Sequence, residues 1–371
     1  MARNIYVGGK PRWYEILPVS PALLAAALAV LVLGGGIWGV SSILAQGEPD
    51  TSDPDVGAVL SEPSDAPAVD VPAVEEPSLA LDPASVDAAS SAADINLFSA
   101  LDATSELLDS SQVAAVEDAI GAIASYGYRT GFVVLDLSTG KGVGYNADDE
   151  FFCASTVKAP FAAYVYQNLI DPGEISVSEV LEKDVEIGGT GVMLTEDKTE
   201  YELEEVLADA IVYSDNIAYA MLREHYEGPA WDEWTVAAGV EQGVSVEGYY
   251  PFCSAKDLAQ YWIAVQTYLE SQSAGAQSLK NLLGTTEVSF LREALGSRAS
   301  VYAKAGFEVD SENGDLGAIN DAGIVSGPSG DYLIAVMSDI DYDSEWLTDN
   351  AWLIVDLIEA LDDLHTAVLA A

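Results

Sequence analysis

Positive charge is what this sequence has least of. Only 14 of its 371 residues are Lys or Arg, against 61 Asp and Glu, for a formal net charge of −47. A surface that acidic repels phosphate backbones and anionic lipid headgroups, which excludes nucleic acid as a partner. Its plain physical use is to keep the chain solvated. Histidine is scarcer still. His225 and His365 stand alone, with no metal-ligand spacing around either, so no metal or other cofactor is expected. Two cysteines, Cys153 and Cys253, are too few for a disulfide framework. Outside the cytoplasm they are either one bridge or two small buried hydrophobes.

The few basic residues are also unevenly spread. Arg3, Lys10 and Arg12 precede an uncharged apolar stretch from Pro18 to Ala45, and the next basic residue is Arg129. A helix crossing the hydrocarbon needs about 20 such residues. The charge asymmetry puts the N-terminus in the cytoplasm. The expectation is a cytoplasmic tail at 1–17 and a single-pass signal anchor at 18–45 in the cell membrane, with the rest extracytoplasmic. A cleaved signal peptide ending at Ile43-Leu44-Ala45 is the alternative, but the stretch is long for its apolar region. Residues 46–94 are rich in Pro, Ala, Ser, Asp and Glu, with steps such as Asp53-Pro54 and Glu76-Pro77. Such a composition cannot bury enough apolar area to offset its ordering entropy, so this segment reads as a disordered, extended linker.

From Ile95 the texture changes. Helical periodicity is expected at Ile95–Leu108 and Val113–Ser125. Gly131–Leu137 and Gly142–Tyr145 read as two strands joined by the turn Ser138-Thr139-Gly140-Lys141. A long helix is expected from Ser155 to Leu169, then helices at Leu203–Tyr213, Ile217–His225, Trp231–Ala238 and Ala255–Leu269. Strands return at Ser300–Ala305, Ala318–Val325 and Tyr332–Ser338, followed by a closing helix at Ser344–Leu361. Strands at both ends with helices between imply an α/β fold. Its antiparallel sheet is formed by the N- and C-terminal segments, with flanking helices beside an all-α subdomain.

Three short motifs carry chemistry. In Cys153-Ala154-Ser155-Thr156-Val157-Lys158 the serine and lysine share one face of a first helical turn. Serine needs an adjacent base to act as a nucleophile, and a lysine serves only if its pKa is lowered by burial or a neighbouring cation. Alone, this motif reads equally well as an N-cap serine with a surface lysine. Tyr213-Ser214-Asp215-Asn216 is a rarer pattern, although it also suits a turn between helices. Val301-Tyr302-Ala303-Lys304-Ala305-Gly306 places a lysine on a strand before small residues that let a ligand approach the backbone. The bland reading of Lys304 is an edge-strand charge. In so lysine-poor a chain, two lysines at two such motifs are a signal.

The order Ser-x-x-Lys, Ser-Asp-Asn, Lys-x-Gly resembles the class A β-lactamases among the penicillin-recognising serine enzymes, over roughly 113–361. Ser214 lies 59 residues after Ser155, close to that family's spacing. The resemblance implies a β-lactamase/transpeptidase-like catalytic domain over 95–371. It implies acylation of Ser155, with Lys158 taking its proton and Ser214 passing a proton to the leaving nitrogen. Asn216 would hold the substrate amide, and Lys304 would supply positive field. The oxyanion would sit between the backbone N–H groups of Ser155 and Phe307, with Ala305 and Gly306 lining the substrate. The substrate would be a β-lactam or other small molecule, or a peptidoglycan-like peptide, acted on by a monomer.

Three departures bear on that expectation. Lys304 follows Ser214 roughly a dozen residues early, and the Ω-loop glutamate that activates the deacylating water has no counterpart. Glu241 and Glu247 are the nearby carboxylates. Ala305 replaces a Thr or Ser, and Asn320-Asp321 stands near where many class A members carry an arginine; both normally hold the substrate carboxylate. Slow deacylation follows, and with it the alternatives of a D,D-peptidase-like amidase or esterase, or a penicillin-binding sensor. The resemblance also brings Cys153 and Cys253 together as a disulfide that braces the shortened loop.

Overall fold

Thr130–Asp136 is buried along its whole length, because it is a central strand covered on both faces. In the computed structural model, residues 81–88, 94–102, 104–240, 249–308, 316–342 and 350–370 are described. The strands are β1 (Asn96–Ser99), β2 (Ser105–Leu107), β3 (Thr130–Asp136), β4 (Lys141–Tyr145), β5 (Glu150–Phe152), β6 (Val180–Glu182), β7 (Glu200–Glu202), β8 (Phe252–Ser254), β9 (Ser300–Glu308), β10 (Ala318–Gly327) and β11 (Gly330–Ser338). Seven of them form one antiparallel sheet in the order β2-β1-β4-β3-β11-β10-β9. N- and C-terminal segments therefore meet where β3 pairs with β11, Val134 opposite Ile334.

The period-2 alternation of β3 divides the core. Phe132 and Val134 join one cluster with α1 (Ser110–Ser125), and Val133 and Leu135 join the other. That second cluster is the all-helical side: α2 (Lys158–Tyr164), α3 (Leu203–Val212), α4 (Asn216–Tyr226), α5 (Pro229–Ala237), α6 (Ala255–Glu270) and α7 (Ala274–Gly284). The short helix α8 (Phe290–Leu295) and the closing helix α9 (Ala351–Leu364) complete the first face. The start of α6 follows from local chemistry. Ser254 accepts from the Asp257 backbone N–H while the Asp257 carboxylate takes the Ser254 N–H, a capping box that starts α6.

Several expectations are corrected. Ile95–Leu108 is not helical: β1 and β2 lie there, because β4 offers a paired edge, Asn96 opposite Gly144. The single helix expected from Ser155 is three pieces, a 3-10 turn at Ala154–Val157, then α2, then a π-helical stretch at Val165–Ile170. Pro160 sits in the first turn of α2, where its missing N–H breaks no helical bond. Part of the expected linker is ordered: Pro83–Ala88 is a 3-10 helix, and Val86, at 0% exposure, packs in the helical core. The closing helix runs to Leu364. The apolar stretch 18–45 and the segment carrying Glu241 and Glu247 lie outside the described residues. Among the described residues no helix is long and apolar enough to cross a membrane.

Candidate active site

The backbone around Ser155 is held from three directions. Phe152 pairs with Phe252 across β5 and β8, and the Cys153 N–H donates to the Pro251 carbonyl at 3.0 Å. Cys153 is bonded to Cys253. Asn320 Nδ2 donates to the Phe152 carbonyl at 2.8 Å. From the third side comes β9. A Cβ at Gly306 would lie 2.8 Å from the Ser155 nitrogen and 2.7 Å from the Cys153 carbonyl oxygen. Only glycine lets this strand lie against the turn, and Ser155 and Phe307 line one space beside it.

Lys158 opens α2 one turn after Ser155 and is 1% exposed. Its Nζ lies 2.6 Å from the Ser214 carbonyl, 2.8 Å from Asn216 Oδ1 and 3.4 Å from Ser214 Oγ. Burial pushes its pKa well below the ordinary lysine value, the Lys304 charge adds to that, and Asp215 opposes it. A neutral amine here donates two protons, to the Ser214 carbonyl and Asn216, and keeps a lone pair for accepting a third.

Ser214 is a non-glycine residue in the left-handed region, at φ +53°. Such a conformation costs roughly 1–2 kcal/mol and persists only where its surroundings hold it. Here they do. Its carbonyl accepts from Lys158 and from Thr190 Oγ1 at 2.7 Å. The next residue, Asp215, caps α4 through Ala218 N at 2.9 Å and accepts from Met193 N at 2.7 Å. Gly191, at φ +125°, passes so close that a Cβ would meet Asp215 Oδ2 at 2.1 Å. Asn216 donates Nδ2 to the Gly188 carbonyl at 3.0 Å, and its Oδ1 also accepts from Tyr250 OH at 2.7 Å.

Lys304, on β9 and 1% exposed, donates to Ser214 Oγ at 3.0 Å and to the Ala305 carbonyl at 2.7 Å. Burial lowers its pKa to about 8, and Asp321 on the neighbouring strand opposes the fall. Asp321 is raised to about 6 by its own burial, despite donors from Ser289 Oγ at 2.8 Å and Leu291 N at 2.9 Å. Between those values both are charged, and the Asp321 carboxylate acts on Lys304 through its field rather than by direct contact.

The fold therefore gathers Ser155, Ser214, Asn216, Lys304 and Phe307 around one cleft, with Lys158 and Gly306 behind them, whereas the Ala305 methyl, expected to line the substrate, is buried in the core cluster of the first face. The cleft's two halves are lined by Ser155, Asn216, Gly189 and Phe307 on one side, and by Ser214, Lys304 and Glu287 on the other. A model of the β-lactamase enzyme family matches residues 112–355. The chain belongs to that family. Within it, a β-lactamase of Amycolatopsis lactamdurans is 28% identical over 126 residues, which are 34% of this chain and 41% of the relative's length. Among solved structures, PBP-A is similar with a TM-score of 0.56 at 20% identity, over 67% of this chain and 94% of its own. A β-lactamase from Chitinophaga pinensis DSM 2588 gives 0.56 at 23%, over 68% and 99%. One from Sphaerobacter thermophilus DSM 20745 gives 0.54 at 22%, over 68% and 96%. At those identities the likeness establishes a shared fold. A variant of PBP-A is itself an acyl-enzyme complex with penicillin G.

As a member of the β-lactamase family the chain has local peculiarities. Asn320 and Asp321 are both fully buried, Asn320 bracing the turn before Ser155 and Asp321 accepting from Ser289 and Leu291, so neither presents a charge to the cleft. Sequence reasoning missed Tyr250, which lines the cleft beside Ser155 and reaches Asn216. Its signal was the aromatic pair Tyr249-Tyr250 directly after the shortened loop. It also missed Thr190 and Glu287, which lie on loops with no motif of their own.

Proposed function

We propose that this chain is a membrane-anchored, extracytoplasmic serine hydrolase that forms an acyl-enzyme at Ser155 with β-lactams or a cell-wall peptide. The observation that carries this reading is the Ser214 hydroxyl held between two buried lysines, 3.4 Å from Lys158 Nζ and 3.0 Å from Lys304 Nζ, beside Ser155. In the proposed step Ser155 Oγ attacks the acyl carbon and its proton passes to the neutral Lys158 amine. The oxyanion forms between the amides of Ser155 and Phe307. Ser214 gives its proton to the departing nitrogen and is refilled from Lys158, while the Lys304 cation stabilises charge on that path. Anchoring is supported by the uncharged stretch 18–45 and the basic residues before it.

Deacylation is proposed to be slow. Among the described residues the hydrogen-bond partners of Lys158 Nζ are carbonyls and a hydroxyl, with no carboxylate to activate water. This favours a penicillin-binding or peptidase-like role over rapid β-lactam turnover. The test is intact mass of the extracytoplasmic part, residues 77–371, with excess penicillin G over time. A persistent adduct absent in Ser155→Ala supports the proposal, and a short-lived one indicates a working β-lactamase. No adduct, where PBP-A labels, removes the acyl-enzyme reading for β-lactams.

A further inference from the structure

We infer that Tyr250 sets the lifetime of the acyl-enzyme, its ring and hydroxyl closing the space beside Ser155 and Lys158 to the water that would hydrolyse it. The inference rests on the acyl-enzyme reading above. Hydrolysis needs a water oxygen at the acyl carbon, a base for the water's proton, and departure of Ser155 Oγ with a proton restored to it. A neutral Lys158 can serve as that base. What remains to be supplied is a place for the water.

Asn216 and Tyr250 together deny it one. A water held for attack needs about two to four polar partners. Asn216 Oδ1 already accepts from Lys158 Nζ at 2.8 Å and from Tyr250 OH at 2.7 Å, which fills both of its lone pairs. The other end of that amide is fixed as well, with Nδ2 on the Gly188 carbonyl at 3.0 Å. Around the amine the neighbours are aromatic. Lys158 Nζ lies 5.6 Å from the ring centroid of Tyr219 and 5.7 Å from that of Tyr250. Tyr250 continues the row to Phe152, 6.5 Å away, and both line the cleft with Ser155. The chain on either side of Tyr250 is tied down. Tyr249 OH donates to Glu224 Oε1 at 2.5 Å, and the Tyr249 carbonyl accepts from Arg223. The Pro251 carbonyl accepts from the Cys153 N–H, and Cys253 is bonded to Cys153. The turn that carries Ser155 and the residue that shields it are thus one cross-linked unit. An apolar ring fixed beside a reactive ester keeps water from it.

The test is the lifetime of the penicillin G adduct, followed by intact mass once excess penicillin is removed. Wild type is expected to hold its adduct, and hydroxylamine, a small neutral nucleophile, to release it only after unfolding in urea. Tyr250→Ala and Tyr250→Ser open the space. They are expected to shorten the lifetime by about tenfold or more and to make the folded adduct sensitive to hydroxylamine. Tyr250→Phe keeps the ring and is expected to stay within about threefold of the wild-type lifetime, although it acylates more slowly. His365→Ala, which loosens the sheet face that carries α9, is expected to leave the lifetime unchanged. Adducts on Tyr250→Ala and Tyr250→Ser as durable as on wild type overturn the inference. So does release by hydroxylamine from the folded wild type, a measurement that stands even where a variant fails to fold. A shortening shared equally by Tyr250→Phe or His365→Ala also overturns it, since it then reflects a lost bond or a loosened fold. A wild-type adduct that turns over quickly keeps the acyl-enzyme and refutes the shield. If wild type forms no adduct, the acyl-enzyme reading itself fails, an outcome distinct from the others.

Discussion

The buried Lys304 is expected to make the proposed acylation depend on pH. Lys304 has its pKa lowered to about 8 by burial, and Asp321 is raised to about 6. As pH climbs through about 8, Lys304 loses its proton and Ser214 loses the cation 3.0 Å from its oxygen. At an effective dielectric of about 20, a unit charge at roughly 5 Å from the developing charge is worth about 3 kcal/mol, so a fall on the order of 100-fold is expected. Asp321 holds the lysine's proton on. Asp321→Asn is therefore expected to move the alkaline limb down by about 1–2 pH units.

Stability runs the other way. The unfolded chain keeps the lysine proton up to the ordinary value of 10.5, whereas the folded chain releases it near 8. Between those values the unfolded state binds more protons, so stability rises with pH, by up to about 3 kcal/mol from this group. The assay is acylation of Ser155 by a neutral ester from pH 6 to 9.5, with urea midpoints measured alongside. A rate that stays flat to pH 9.5, or a limb that Asp321→Asn shifts upward, refutes the reasoning.

Other substitutions separate chemistry from scaffold. Lys158→Met is expected to slow acylation by about 1,000-fold without lowering the urea midpoint, because a buried amine gives way to an apolar chain of similar length. The acceptors it leaves keep Thr190 and Tyr250 as donors. Replacing both Cys153 and Cys253 by Ala removes a cross-link spanning 100 residues, and is expected to cost about 2–4 kcal/mol in urea unfolding. His365→Ala breaks a fully buried pair with Asp136, 2.8 Å apart on the sheet face that carries α9. A loss of about 3 kcal/mol is expected, with the acylation constant unchanged. Tyr250→Phe removes the 2.7 Å bond to Asn216, and a severalfold drop in acylation checks that role.

What could be read from the sequence was what is decided within a few residues. Ser155 and Lys158 share a helical turn, Ser214 to Asn216 form one cap, and Lys304 to Gly306 lie on one strand. Each motif states its own geometry, and the buried strands at 131–137 and 318–325 stand out because both faces are covered. Ile95–Leu108 misled because apolar residues three and four apart fit a helix as well as they fit two short strands. The deciding partner, β4, lies more than 40 positions away. Tyr250 was hidden for the same reason, since its hydroxyl meets Asn216 across 34 positions.

The scarcity of basic residues turns out to be spatially organised. Two of the few lysines are completely buried, and both point at one serine hydroxyl. Burying a cation is unfavourable and is retained where its proton or its field is used. Asp215 and Asp321 oppose the fall in the pKa values of Lys158 and Lys304. Both lysines thus converge on Ser214, and Lys304 lines the same pocket as Glu287. The proposed acylation chemistry therefore rests on Lys158, Ser214 and Lys304, with Asp215 and Asp321 setting how much charge the two lysines carry.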